Sequence, residues 1–530
     1  MSVGWQGGWQ GWHRSQKAPI VFAALLALLG SGNPSTAIAQ SQVPKPDLTQ
    51  NPKSKIQNPQ IAQSPGSFCA TDLPGQLDAL LNAEPVPRSR WGVLVRSLDT
   101  GETLYAREAD QFFTPASNAK VFTTAATLTA LGPAFRIRTS LYRDASDRDA
   151  AEAAEAGQVR LRLVGRGDPT LTTAQLDALT TQLRAQGIAR IDRLTVDTSY
   201  FQGDEVNPNW DWEDAQAGYG APVSSVMVDG NAIALQLVPQ ALGQPLRVVW
   251  RDPADGAGWA IDNRSRTVAA SEAEFTAVRR AFDRLLLRVG GQLRVGSAAE
   301  LEIIPVTDPT RHFINRLRRS LRNQGIALGP VAIATGPTRL TEPEIASIAS
   351  APLSELLKPT NANSENLYAE AMLRILGAEQ LPNQSANSLS AGITALKATL
   401  TQLGVSADSY APVDGSGLAR KNLASPESLV ETLRAIARTP NARVFRDSLA
   451  VAGSSGTLQS RFRNTPVQGR LWGKTGAISG IASLSGYLEP PQHPPLVISI
   501  LVNHFDQPVR TVRPTMDELV LRMARVQSCE

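Results

Sequence analysis

Cysteine and histidine are scarce in this chain, at two and four in 530 residues. Cys69 and Cys529 alone cannot build a disulfide-rich scaffold or a four-cysteine metal site. The histidines are His13, His312, His493 and His504, and no HExxH motif is present. Neither a metal nor any other cofactor is therefore expected. Gly-x-Ser-x-Gly is also missing, which argues against a Ser-His-Asp hydrolase. Aromatic residues are only 5% of the chain, and three of the nine tryptophans (Trp5, Trp9, Trp12) sit in the first dozen residues. A dominant charge sign is lacking too: 52 Lys+Arg face 48 Asp+Glu, for a formal +4. With no dense basic run, the pI near 9.1 does not amount to a nucleic-acid footprint.

What is present supports a globular protein. Hydrophobic residues make up 42% and charged residues 19%. That excludes a wholly disordered chain, and the length suits roughly two to four domains. Arg14 and Lys17 precede a short apolar run, Ala18 to Leu29, and small residues end at Ala37-Ile38-Ala39. This pattern predicts a secretory signal peptide cleaved after Ala39, and the run is short for a bilayer span. An uncleaved membrane anchor is the alternative. Cleavage would take Arg14 and Lys17 away and place the protein where disulfides are tolerated. Gln40 to Ser67 is rich in Gln, Pro, Asn and Ser and reads as a flexible tether.

Ordered texture begins near Cys69. Leu73 to Leu81 suits a short helix. Trp91 to Val95 and Thr103 to Tyr105 flank a hairpin signal at Asp99-Thr100-Gly101. A helix is predicted from Ala116 to Leu131, with Pro115 at its start and Gly132-Pro133 stopping it. Between about Arg138 and Gly336, strands (159–164, 193–196, 232–238, 246–250, 301–304) alternate with helices (176–186, 313–322). Helices follow at 353–358 and 364–375. Adjacent strands are predicted at Ile481 to Leu488 and Leu496 to Val502, before an amphipathic helix from Thr515 to Val526. Strands at both ends with helices between suggest one α/β domain built from both ends and interrupted by an insertion.

Three short motifs carry candidate chemistry. In Ser117-x-x-Lys120 the two side chains lie one helical turn apart, on one face. A serine hydroxyl needs a neighbouring base, and a lysine serves when burial or nearby cations depress its pKa. Alone, such a match is expected roughly once by chance in a chain this long. The second motif, Ser364-Glu365-Asn366, offers a proton-shuttling hydroxyl and an amide that can hold a carbonyl or orient Lys120. Ser31-Gly32-Asn33 and Ser385-Ala386-Asn387 match the same pattern, so only context singles out Ser364. The third, Lys474-Thr475-Gly476, puts a cation and a hydroxyl at a strand edge, suited to an anionic carboxylate, beside a glycine that permits close backbone approach. Each motif alone is also what an ordinary helix or turn would show.

In this order, with Gly165-Arg166-Gly167-Asp168-Pro169, Tyr219-Gly220-Ala221-Pro222-Val223-Ser224, Asp414-Gly415-Ser416-Gly417-Leu418-Ala419-Arg420-x-Asn422 and Ala452-Gly453-x-x-Gly456-Thr457-Leu458, the chain resembles a known family. It is similar to the active-site serine penicillin-recognising enzymes, and among them the class C low-molecular-mass penicillin-binding proteins. The resemblance runs from about residue 75 to the end. The long stretch between Ser117 and Ser364 also fits, since this family inserts domains there and β-lactamases do not.

The resemblance implies an α/β (α+β) fold of the penicillin-binding-protein/serine β-lactamase kind, with nested inserted domains. The expected division is a signal peptide at 1–39 and a linker at 40–68. The catalytic domain is expected from 69–137 with 337–530, one insertion from 138–229 with 306–336, and a second, nested insertion at 230–305. The implied activity is that of a serine D-alanyl-D-alanine carboxypeptidase/endopeptidase on peptidoglycan stem peptides and cross-links, inhibited covalently by β-lactams. Ser117 would be the nucleophile, Lys120 its base and Ser364 the proton relay. Asn366 would bind substrate and orient Lys120, while Lys474, Thr475 and Gly476 would face the terminal carboxylate. The backbone N–H groups of Ser117 and Ala477 would form the oxyanion hole. Arg420 lies in the region that borders the family's side-chain pocket, and its segment also reads as a turn. Trp210-Asp211-Trp212-Glu213-Asp214 either receives the free amine of diaminopimelate or packs as an edge loop.

Because the two ends of the chain pack in one domain in this family, a Cys69–Cys529 disulfide is expected, against two separate thiols. Expected partners are peptidoglycan peptides and β-lactams, with no nucleic acid. Peripheral membrane contact and oligomeric state stay open. The expected location is exported, periplasmic or cell-wall associated. A β-lactamase and a non-catalytic cell-wall binding module are the alternatives.

Overall fold

The computed structural model describes residues 66–83, 88–144, 158–281, 283–336, 340–381 and 387–529. The signal-peptide and tether readings at 1–65 lie outside the described residues. Phe68–Glu530 form one compact unit.

Its centre is a six-stranded antiparallel sheet drawn from both ends of the chain. The order is Ala450–Val451, Leu471–Ile478, Ile481–Leu488, Leu496–Asn503, Arg90–Ser97 and Thr103–Arg107. Ile481–Leu488 and Leu496–Asn503 are buried at every position, because the sheet is covered on both faces. Alternation sorts their side chains. Val497 and Leu501 point into a helical cluster that includes Val121, Phe122 and Leu128. Ile498, Ile500 and Val502 point the other way, against Leu77 and Leu81 of the helix Leu73–Asn82 and Leu519 and Met523 of Val509–Met523. The terminal helix starts earlier than its composition suggested, since Pro514 is accommodated inside it. Cys69 and Cys529 form a disulfide, with Cα atoms 5.5 Å apart, beside a parallel pairing of Phe68–Cys69 with Val526–Gln527.

Residues between the hairpin and the second motif build separate sheets. One combines Arg138–Arg143, Gln158–Val164, Arg190–Asp197, Ala327–Leu328, Val331–Ala334 and Glu344–Ala349. The helices Thr173–Ala185 and Pro309–Asn323 share its core. The strand Glu344–Ala349 pairs with Arg138–Arg143, so the expected boundary at 336 falls before the last strand of this sheet. Two smaller sheets, of three and four strands, span Ala232 to Pro305 and share a cluster around Leu235, Leu237, Leu287 and Val289.

Candidate active site

The helix Ala119–Leu131 runs through the helical cluster, buried from Ala119 to Leu128. A 3₁₀ turn, Ala116–Asn118, leads into it, and Ser117 sits in that turn. Ala116 has φ +47°, a strained conformation for a residue with a Cβ. The turn is held in place by its neighbours. Ser483 Oγ donates to Pro115 O at 2.7 Å and accepts from Asn118 Nδ2. Gly417, at φ +79°, packs so closely that a Cβ there would lie 1.9 Å from Ala116 O.

Lys120 is fully buried. Its Nζ donates to Ser117 Oγ at 3.0 Å, Asn366 Oδ1 at 2.7 Å and Ser416 O at 2.6 Å. All three acceptors are uncharged. Burial therefore dominates and lowers the Lys120 pKa to about 8, while the charges of Asp414, Glu370 and Glu365 partly oppose the shift.

Ser364 lies before the helix Asn366–Gln380 rather than in its first turn, with φ +69°. The sequence pattern placed it in the helix. The left-handed residue instead turns the chain so that Asn366 opens the helix and Ser364 faces the third motif. Lys474, also fully buried, donates to Ser364 Oγ at 2.9 Å and to Thr475 O at 2.6 Å. Burial pushes its pKa well down, and the charge of Lys120 pushes the same way.

The third motif lies on Leu471–Ile478. Beyond Gly473 that strand has no partner on its outer side among the described residues, since Ala450–Val451 pairs only with Trp472 and Gly473. Gly476 is where strand and nucleophile turn meet. A Cβ there would lie 2.8 Å from Ser117 N, 3.0 Å from Pro115 O and 2.3 Å from Ser483 Oγ. Only glycine fits this approach. Ala477 is exposed on the same strand, next to Gly476. Thr475 Oγ1 donates to Thr457 Oγ1 at 2.7 Å.

Arg420 is at the rim. It pairs with Asp211 at 2.9 Å and donates to Ser479 O at 2.9 Å, just past the third motif. In the Trp210–Asp214 segment, one tryptophan packs inward and the other faces out. Trp210 is buried and donates to Asp414 Oδ2 at 3.0 Å, whereas Trp212 is 65% exposed. Tyr219 OH donates to Asp214 Oδ1 at 3.1 Å, and Tyr219 O accepts from Asn366 Nδ2 at 3.1 Å.

The sequence reading passed over one buried acid, Glu370, and took Asp414 only as a turn residue. Asp414 is fully buried and accepts from the backbone N–H of Gly417 and Ala419, from Asn422 Nδ2 and from Trp210 Nε1. It organises the turn that carries Ser416. Glu370, one helical turn beyond Asn366, accepts from Gly415 N and Ser416 N. For Glu370, an acid and a base four and eight residues after Asn366, on a largely apolar helix, were the available signal. No cluster of metal-ligating side chains occurs among the described residues.

This arrangement has the fold of the penicillin-binding proteins. It is similar to the crystal structure of penicillin binding protein 4 (dacB) from Haemophilus influenzae, with TM-score 0.74, 24% identity, and coverage of 84% of this chain and 98% of that one. A model of the D-Ala-D-Ala carboxypeptidase 3 (S13) family matches residues 73–523, and the chain belongs to that family of serine-type hydrolases. Among its relatives, the D-alanyl-D-alanine carboxypeptidase of Actinomadura sp. (strain R39) is 32% identical over 485 residues, covering 88% of this chain and 87% of the relative. The penicillin-sensitive carboxypeptidase A of Dictyostelium discoideum is 25% identical over 465 residues, covering 82% and 87%. The family resemblance drawn from the motifs is thereby confirmed.

Proposed function

We propose that this D-alanyl-D-alanine carboxypeptidase/endopeptidase works through an acyl-enzyme on Ser117. The observation that carries this reading is the fully buried Lys120, bonded to Ser117 Oγ at 3.0 Å and held only by uncharged oxygens. With its pKa lowered to about 8, a usable fraction of Lys120 is the free amine near neutrality. Lys120 Nζ takes the Ser117 proton as Oγ attacks the carbonyl between two D-alanines, or between D-alanine and diaminopimelate in a cross-link. The tetrahedral oxyanion is met by the N–H groups of Ser117 and Ala477, a contribution of about 3 kcal/mol in comparable sites. Collapse breaks the C–N bond. Ser364 relays the proton held by Lys120 to the departing amine, giving up its own and taking that one, so that Lys120 is a free amine again, while its oxygen accepts from Lys474. Water then attacks the ester, Lys120 again acting as base, and restores Ser117.

Asn366 keeps Lys120 aimed, and Thr475 with Lys474 receives the terminal carboxylate. Gly476 supplies the clearance. Arg420 borders the substrate's side chain. β-Lactams acylate the same serine, in keeping with a fold neighbour solved in complex with a β-lactam. The sheet composition supports a catalytic domain from both chain ends, with the Arg138 to Ala349 region as the insertion and Ala232 to Pro305 nested in it. A leader of the kind that the sequence pattern predicts, together with the disulfide, would suit export to the periplasm or cell wall. No helix among the described residues is long and apolar enough to cross a membrane.

The test is release of D-alanine from a peptide ending in D-Ala-D-Ala, and cleavage of cross-linked muropeptides, by wild type and Ser117→Ala. Both activities should vanish in the variant. A variant as active as wild type would overturn the assignment.

A further inference from the structure

The helix Asn366–Gln380 is largely apolar, yet Asn366, Glu370 and Arg374 recur along it four residues apart and so share one face. Asn366 is explained by its bond to Lys120. Glu370 and Arg374 touch no substrate-facing group, and both are buried, at 0% and 1% exposure. A buried carboxylate is costly unless its charge is matched or used. Glu370 is bonded on one side only. Its Oε1 accepts from Gly415 N and Ser416 N, each at 2.9 Å, while Oε2 has no hydrogen-bond partner among the described residues.

The turn it grips is the one that grips Lys120. Ser416 O accepts the 2.6 Å bond from Lys120 Nζ, and Thr123 Oγ1 donates to Gly415 O at 2.8 Å. Asp414 ties the far side of the turn through Gly417 N and Ala419 N. Gly417 abuts Ala116 O, so the same turn backs the nucleophile. A displacement at Gly415–Ser416 would reach Lys120 and Ser117 together.

We propose that Glu370 is a positioning residue for acylation: it fixes the Gly415–Ser416 backbone so that the Ser416 carbonyl aims the Lys120 amine at Ser117. Its negative charge also favours the protonated form of that amine. The inference rests on Lys120 being the base. Glu370 faces Asp414 from the turn, Arg374 from its own helix and Lys120 from the nucleophile helix. Arg374 in turn donates to Asp204 O and lies near Glu205. Glu365 and Lys474 are the other charged groups around Lys120. Burial and the charge of Asp414 raise the Glu370 pKa, against the pull of Arg374.

The experiment is the pH dependence of acylation by a fluorescent penicillin, with rate and reversible-binding constants separated. Glu370→Gln keeps an acceptor oxygen and removes the charge. It should keep the high-pH rate within about threefold and move the acid limb down by about one pH unit. Glu370→Ala removes both, and its high-pH rate should fall about 100-fold with reversible binding unchanged. An acid limb of Glu370→Gln that superimposes on wild type, or a folded Glu370→Ala that acylates at the wild-type rate, overturns the proposal. If Glu370→Ala does not fold, the Glu370→Gln limb decides alone. Ser117→Ala runs alongside: wild-type labelling there would sink the functional reading itself, independently of Glu370.

Discussion

Two buried cation sites in this molecule are built on opposite principles. Between the separate sheets of the Arg138 to Ala349 region, Arg316 is surrounded by Asp229, Asp252 and Asp255, and its pKa is raised. In the cleft, Lys120 and Lys474 are buried more completely, yet their acceptors are hydroxyl, amide and peptide oxygens. Their pKa values move down. A cation matched by carboxylates keeps its proton and holds elements together. A cation buried among uncharged acceptors is pressed to give its proton up, which costs stability and yields a base. Ala116 and Ser364, both at positive φ beside this cleft, add strain at the same place.

Substitutions at the two sites should separate these roles. Lys120→Met should lower the acylation rate about 1,000-fold or more, while its Tm stays level or rises because an unmatched buried group is gone. Stopped-flow acylation and a thermal melt on one sample read both; a Tm that falls with acylation intact would reverse the comparison. In wild type the acylation rate should climb tenfold per pH unit below about 8 and level off above it, as Lys120 loses its proton. Gly476→Ala attacks the clearance instead of the charge. Its Cβ would press on Ser117 N and Pro115 O, so the acylation rate should drop about 100-fold and the Tm should fall with it. Arg316→Met should touch stability alone. It should cost about 2 kcal/mol in a urea titration, since Asp229 and Asp252 keep partial access to water, and leave the rate per folded molecule unchanged.

Much of the cleft could be read from the sequence because its parts are local. Ser117 and Lys120 share a helix face by spacing, and Lys474-Thr475-Gly476 sits on a strand edge that its neighbours announce. The disulfide was expected only through the family resemblance. What escaped was non-local or conformational. Ser364 read as helical because its flanking residues favour a helix, and no local pattern signals a positive φ at a serine. Asp414 read as turn chemistry, while its bond to Trp210 joins segments about 200 residues apart. Glu370 looked like any acid on a helix, because its partners are backbone N–H groups on a distant loop. The strand Glu344–Ala349 was missed for the same reason, its partner being Arg138–Arg143.

The central claim is that Ser117, activated by Lys120, is the group acylated. The most direct measurement is labelling of the purified protein with a penicillin, followed by intact mass and mapping of the modified peptide, for wild type and Ser117→Ala. The account predicts one adduct per wild-type chain, located at Ser117, and none on the variant. An adduct at another residue, or equal labelling of both proteins, would contradict it.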